Sequence, residues 1–199
     1  MAKRVFDLLL ASLGLALLSP LLLAIALAIK LDSRGPVFFR QQRVGRRGTP
    51  FRIHKFRTMA HDARDSGPQI TVGDDPRITR VGAVLRRHKL DELPPLIDVL
   101  QGAMSLVGPR PEVPRYVELY PPELRARVLS VRPGITDLAS ITFRNESELL
   151  ARAADPEREY LEVVMPRKLA LAASYADGAS LGQDLRILWR TLRLLIGAR

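Results

Sequence analysis

The chain has 199 residues, a length that suits one domain and leaves little room for two. Apolar residues make up 47% and charged residues 26%, so a packed core is available and general disorder is disfavoured. There is no cysteine, which excludes a disulfide framework and any thiolate metal site, and His54, His61 and His88 lack the paired spacing of a zinc site. The net charge of +10 points to an anionic partner: nucleic acid, membrane or a phosphorylated ligand.

The charge is concentrated at one end. Residues 1–60 hold 11 Lys/Arg against 2 Asp, a surplus of +9, and the remaining chain is nearly balanced. That surplus surrounds the most apolar segment. A basic cluster beside an apolar anchor favours anionic lipid, at roughly 1 kcal/mol per Lys or Arg near the surface.

Leu8 to Ile29 is a run of 22 residues without charge. As a straight helix it would be ~33 Å long, against a hydrocarbon core of ~30 Å. Two features argue against a simple span. Ser19-Pro20 lies near the centre, where proline removes a backbone bond and crowds the carbonyl of Ala16. The Ser19 hydroxyl can satisfy a freed carbonyl. Both flanks are positive, with Lys3 and Arg4 before and Lys30, Arg34, Arg40, Arg43, Arg46 and Arg47 after, which draws both ends to the cytoplasm. A helix–break–helix that re-enters on one side fits these biases. A single span and a cleaved signal peptide, for which Ala24-Ile25-Ala26 mimics a cleavage site, remain as alternatives.

Residues 36–59 read as a β-hairpin, Val37-Phe38-Phe39 and Phe51 to Phe56 flanking the tip Gly45-Arg46-Arg47-Gly48. Gly67-Pro68 and Gly73-Asp74-Asp75-Pro76 mark loops. Ile78 to Lys89 has helical spacing with Val81, Val84 and Leu85 on one face. A second apolar stretch runs from Leu93 to Leu100. Gly108-Pro109-Arg110-Pro111 cannot be regular structure. Pro121-Pro122 opens a short helix through Val128, closed by Arg132-Pro133-Gly134. Helices are predicted over 147–153, 155–176 and 180–196. In the last, Leu181, Leu185, Leu188, Leu192 and Leu195 share a face, with Trp189 nearby and Arg186, Arg190 and Arg193 charged. Such a helix can lie among lipid headgroups, or it can pack its leucines on a core.

Three segments carry chemistry. In Arg86 to Pro95, the prolines suit a first helical turn and place Asp91 at or near an N-cap. Asp91 then either caps the helix, with Glu92 favouring its positive end, or attacks a phosphoryl group gathered there, with Glu92 in a separate role such as holding Mg²⁺. In Gly108-Pro109-Arg110-Pro111, two prolines present Arg110 at low entropic cost, ready for bidentate phosphate contact; a plain turn with a solvated arginine is the alternative. In Lys55-Phe56-Arg57-Thr58-Met59, period two puts Lys55 and Arg57 on one face. The histidines are assigned no role.

These motifs together resemble the bacterial sugar transferase family of monotopic phosphoglycosyl transferases. The resemblance rests on the apolar segment with Ser19-Pro20, Lys55 to Met59, Asp75-Pro76-Arg77-Ile78-Thr79-Arg80-Val81-Gly82, Leu90-Asp91-Glu92-Leu93-Pro94, Met104 to Pro111 and Arg132-Pro133-Gly134-Ile135-Thr136, in that order along nearly the whole chain. It implies a mainly α fold with a small β-hairpin, monotopic in the membrane. A re-entrant anchor over 1–31, broken at Ser19-Pro20, would precede a catalytic part over 32–199 with interfacial amphipathic helices, all in a single domain. It implies transfer of a sugar-1-phosphate from a UDP-sugar to polyprenyl (undecaprenyl) phosphate, releasing UMP, at the cytoplasmic face of the bacterial inner membrane. Asp91 would be the nucleophile of a ping-pong reaction and would hold Mg²⁺ with Glu92. Arg110 would bind phosphate, with Lys55, Arg57 and Arg86 as further basic groups of the site.

The chain departs from the family pattern at Asp137-Leu138-Ala139-Ser140, around Phe143-Arg144-Asn145 and at Pro95. The first two fall where nucleotide or sugar contacts are expected, so the donor sugar is not read from the sequence. Nor are the pathway and the oligomeric state. The chain is expected to be a minimal catalytic unit, without the extra N-terminal membrane domain of longer relatives. A membrane-tethered basic module that binds lipid or nucleic acid explains the charge but not Asp91-Glu92 or the Arg110 loop. Nucleic acid is therefore not expected as a partner.

Overall fold

The computed structural model describes residues 1–60 and 75–197. His61, Gly67-Pro68 and Gly73-Asp74 lie outside these residues. The fold is mainly helical. A long helix α1 (Ala2–Asp32) leads into the hairpin β1 (Phe38–Val44) and β2 (Pro50–Phe56). Then follow α2 (Arg80–Arg87), a 3₁₀ turn at Leu90–Glu92, α3 (Pro95–Gln101), β3 (Ser105–Val107), α4 (Pro114–Glu118) and α5 (Pro122–Val128). The chain closes with β4 (Gly134–Thr136), α6 (Leu138–Thr142), α7 (Glu146–Ala151), α8 (Pro156–Glu159), α9 (Met165–Asp177) and α10 (Leu181–Ile196).

The expected break in the apolar segment is not seen as an interruption of the helix. α1 is continuous through Pro20. The Ser19 hydroxyl donates to the Ala16 carbonyl at 2.8 Å, taking up the oxygen that Pro20 has no N–H to meet. One face of α1 is packed and the other is not. Ala11 joins a core with Ile53, Val99, Met104 and Ile187, while Ile25 and Ile29 pack with Phe56 and Leu85. Leu9, Leu13, Leu17, Leu23, Leu27 and Leu31 are exposed.

Polar contacts fasten both ends of α1 to the same body. Near the start, buried Asp7 accepts from Ser105 Oγ at 2.8 Å and from the Leu106 N–H at 3.2 Å. Lys3 pairs with Asp184 at 2.5 Å. At the other end, Arg57 donates to the carbonyls of Ile29, Ser33 and Arg34. Asp32 accepts from the Val81 N–H at 3.1 Å.

The hairpin forms as predicted, antiparallel with Arg40 opposite His54 and Phe39 opposite Lys55. Its tip turns through left-handed Arg47 and Gly48, φ 59° and 79°. In α2, Thr79 caps through Gly82 N–H, and Ile78 bridges to Met59. Leu85 is buried, but Val84 faces outward, because the helix is too short to bury more than one narrow stripe.

Three further differences have local causes. Residues 155–176 are not one helix of uniform register. A π turn at Tyr160–Val164 precedes Pro166, whose missing N–H leaves the Glu162 carbonyl without its usual partner. The segment after α5 contributes a strand: β4 pairs in parallel with β3, Ser105 opposite Gly134 and Val107 opposite Thr136. In α10 the buried stripe is Asp184 and Ile187, with Leu188 against the core, so Leu185, Trp189 and Leu192 are exposed. The Leu195 side chain lies outside the described set.

Candidate active site

The Asp91-Glu92 segment does not cap α3. Lys89 adopts a left-handed conformation (φ 56°, ψ 22°) and turns the chain sharply after α2. A 3₁₀ turn carries Leu90, Asp91 and Glu92, and α3 begins only at Pro95 with Pro94 as its N-cap. Asp91 is thereby released from the capping role that its sequence position suggests.

Glu92 is the hub of the site. Arg110 grips it in a fork: its NH1 donates to Oε2 at 3.1 Å and its NH2 donates to Oε1. Lys55 reaches Oε1 from β2 at 2.9 Å. Burial alone would push the Glu92 carboxyl up, but Arg110 and Lys55 outweigh it and hold the group well below the usual carboxylate range. Glu92 in turn raises the pKa of Arg110. Burial lowers that of Lys55 against the pull of Glu92.

Asp91 has the opposite environment. Its Oδ1 is buried and has no hydrogen-bond partner. Burial pushes its pKa up, the Glu92 charge adds to the rise, and Lys55, Arg86 and Arg110 only partly oppose it. Arg86 comes from α2 and is steadied by Thr58, whose Oγ1 accepts from its Nε at 2.8 Å.

The loop that presents Arg110 is pinned from behind. Gly108 and Gly134 meet backbone to backbone, with Gly108 N–H donating to Thr136 O at 3.1 Å and Gly134 N–H to Pro109 O at 3.0 Å. A Cβ on Gly134 would lie 2.1 Å from Gly108 N, so only glycine allows this approach. Asp137 caps α6 through the Ser140 N–H at 2.6 Å and also accepts from the Arg110 N–H at 3.2 Å. The departure noted at Asp137–Ser140 thus acts on the posture of the arginine loop.

Of the residues singled out in the sequence, Lys55, Arg86, Asp91, Glu92 and Arg110 converge. Arg57 lies just beyond β2, where the strand period no longer applies, and its guanidinium caps the carbonyl end of α1. Ser19 and Pro20 stay within α1. Arg43 is an addition that the sequence motifs do not supply. It lines the same cleft as Lys55, Glu92 and Arg110, donates to Pro111 O at 3.1 Å, and has a buried Nε without a partner. No motif marks it, but the hairpin register places it on the Lys55 face of the sheet. The cleft is small, about 20 Å³, which is room for one water.

Among the described residues no group of three or more His, Asp or Glu is gathered as a metal cage. Mg²⁺ does not require one, since it is commonly held by one or two carboxylates together with waters and substrate phosphates. The orphaned Asp91 Oδ1 fits that demand. Both Glu92 oxygens are already engaged by cations.

The chain resembles known proteins along nearly its whole length. The bacterial sugar transferase family profile matches residues 1–198. The chain is 44% identical over 200 residues to the UDP-glucose:undecaprenyl-phosphate glucose-1-phosphate transferase of Caulobacter vibrioides, covering 98% of this chain and 69% of that protein. It is 39% identical to the UDP-N-acetylgalactosamine-undecaprenyl-phosphate N-acetylgalactosaminephosphotransferase of Aeromonas hydrophila, covering 99% of this chain but only 45% of the relative. It is 40% identical to the exopolysaccharide production protein PSS of Rhizobium leguminosarum bv. phaseoli, covering 96% and 92%. The first two relatives are named as sugar-phosphate transferases acting on undecaprenyl phosphate, with differing sugars. With its motifs in order and the family match spanning almost every residue, the chain belongs to the bacterial sugar transferase family.

Proposed function

We propose that this chain transfers a sugar-1-phosphate from a UDP-sugar to undecaprenyl phosphate through a covalent intermediate on Asp91. The observation that carries the reading is the contrast within the acidic pair: Glu92 is clamped by two cations, while Asp91 keeps a buried carboxylate oxygen free. A carboxylate without hydrogen-bond partners is poorly stabilised and correspondingly nucleophilic. It attacks the sugar-bearing phosphorus of the donor. The bond from that phosphorus to the bridging oxygen breaks, and UMP leaves with the oxygen. An oxygen of undecaprenyl phosphate then attacks the same phosphorus, the bond to Asp91 breaks, and the carboxylate returns. The product is an undecaprenyl diphosphate sugar.

Phosphoryl transfer needs positioning and charge neutralisation more than acid–base groups. Arg110, Lys55 and Arg86 supply fixed positive charge around Asp91. Asp91 and Glu92 would hold Mg²⁺ together with the donor diphosphate, and the ion would offset the negative charge of its oxygens. Glu92 already engages Arg110 and Lys55, so a donor diphosphate would compete with it for these cations.

The proposed location is the cytoplasmic face of the bacterial inner membrane, with α1 as a monotopic, re-entrant anchor. Its two ends fastened to one body, its exposed leucine row, and the Leu185, Trp189 and Leu192 ridge of α10 beside Arg186, Arg190 and Arg193 support this placement. Glucose and N-acetylgalactosamine both occur among the relatives' donors, so a UDP-sugar panel is the first experiment. Purified protein with Mg²⁺, donor and undecaprenyl phosphate should release UMP, and folded Asp91→Asn should not. Donor alone should add one phosphosugar mass to the chain. No adduct in wild type, together with intact turnover in Asp91→Asn, would falsify the mechanism.

A further inference from the structure

A buried carboxylate sits behind the cleft and has no part in the chemistry above. Asp98 on α3 is 1% exposed. Both of its oxygens are used by one residue: Oδ2 accepts the His54 backbone N–H at 2.8 Å and Oδ1 meets the His54 ring Nδ1 at 2.7 Å. Arg40 donates to the other ring nitrogen, Nε2, at 2.6 Å, and to Arg52 O at 2.8 Å. An arginine can only donate, so Nε2 accepts and Nδ1 carries the hydrogen given to Asp98. Phe38 closes the ring from the side, edge-on at 5.7 Å.

Holding a helix to a strand does not require a buried carboxylate, since apolar contacts do so without the desolvation cost. What the two-point contact adds is register: it fixes α3 along the free edge of β2 at one residue. That residue is followed in sequence by Lys55, and α3 follows Glu92. The His54–Asp98 link and the 2.9 Å Lys55–Glu92 contact therefore close one ring between strand and helix.

We propose that Asp98, acting through His54, is a positioning residue that sets the Lys55 ammonium in the cleft for the donor diphosphate. This rests on the phosphate-binding role given to Lys55 above. Arg40 completes the device by fixing the His54 tautomer.

The test is a double-mutant cycle on the full chain, read as the dissociation constant of UDP, which presents the diphosphate without requiring knowledge of the sugar. Lys55→Met and Asp98→Asn should each weaken UDP about tenfold, the worth of one charge-assisted hydrogen bond. In the Lys55→Met background, Asp98→Asn should add less than about twofold, because there is no ammonium left to misplace. A purely structural Asp98 would lower thermal stability equally in both backgrounds and leave the two binding effects multiplicative. Asp98→Glu, which keeps the charge and lengthens the link, serves the same cycle if Asp98→Asn does not fold. Multiplicative effects, or unchanged binding in both Asp98 variants, overturn the positioning role alone. Unchanged binding in Lys55→Met overturns the role of Lys55 and the proposal with it. No UDP binding by wild type overturns the donor reading itself.

Discussion

Asp91 and Glu92 are adjacent in one 3₁₀ turn, yet their carboxylates are held in opposite ways: Arg110 and Lys55 grip Glu92, and Asp91 Oδ1 has no partner. Asp91 is accordingly pushed above, and Glu92 well below, the usual carboxylate range. Turnover that requires ionised Asp91 should fall on acidification at a pH above the ordinary aspartate value of 3.8. Glu92→Gln removes one cause of that rise and frees two cations to favour the Asp91 anion. The acid limb of kcat/KM for UMP release should move to lower pH in Glu92→Gln, even as the rate drops. A limb that stays in place counts against the coupling.

The same shift has a consequence for stability. A carboxyl whose folded pKa exceeds its unfolded value binds more protons when folded, so its contribution to stability is full below the unfolded pKa and is lost as pH rises through the folded one. At neutral pH the buried Asp91 charge is therefore a net cost, with its cations already counted. Asp91→Asn should abolish turnover and raise the melting temperature at pH 7, by about 2–4 °C for each kcal/mol recovered in a domain of this size. The gain should shrink as pH is lowered towards about 4, the ordinary aspartate range. A lower melting temperature than wild type at pH 7 would show that the charge is well compensated.

Arg110 meets both Glu92 oxygens through the planar fork of its guanidinium. Lysine keeps the charge but cannot span two oxygens. Arg110→Lys should lower kcat/KM for donor by about 10²-fold, the usual loss when one fixed donor of a transition-state anion is removed. Lys55 should remain on Glu92 in that variant. A loss below about threefold would mean that charge, not the fork, is what the site uses.

Much of this site is legible from residue types at fixed spacing. Lys55, Asp91, Glu92 and Arg110 lie in short motifs whose neighbours dictate a local shape, such as the prolines around Arg110. Local periodicity misleads where it is extended past its support. The prolines after Asp91 suggest an N-cap, but left-handed Lys89 inserts an extra turn that no propensity encodes. Strand alternation groups Arg57 with Lys55, but β2 ends at Phe56. Arg43 and Asp137 are brought in by the hairpin register and by the β3–β4 pairing, which are tertiary facts. The Ser19 hydroxyl contact is readable beside Pro20, but whether it repairs the helix or marks a break is settled by packing along the whole of α1.

The topology of α1 is open to direct labelling. Ala2 opens the helix, Arg34 lies just beyond its end, and both are exposed. The native chain has no cysteine, so Ala2→Cys and Arg34→Cys each give a single reactive site. In spheroplasts both should resist an impermeant maleimide applied from the periplasmic side and react once the membrane is opened. The reason is that Lys3, Asp7 and Arg57 tie the two ends to one body. Labelling of one site from outside would establish a span.

The close approach of Gly134 to Gly108 offers a test of how Arg110 is held. A Cβ on Gly134 would sit 2.1 Å from Gly108 N and 2.5 Å from Gly108 O, against backbone that cannot rotate away. Gly134→Ala must separate the strands or displace the loop, so it should destabilise the protein by about 1–3 kcal/mol, the common range for overpacking. It should also weaken UDP binding, because the Gly134 N–H to Pro109 O bond sits one residue from Arg110. Gly182 provides the control. It lies in the first turn of α10, and a methyl group added there would meet nothing within 4 Å, so Gly182→Ala should be neutral or stabilising by up to about 1 kcal/mol. Equal melting temperatures for the two variants would mean that the glycine contact does not hold the arginine loop.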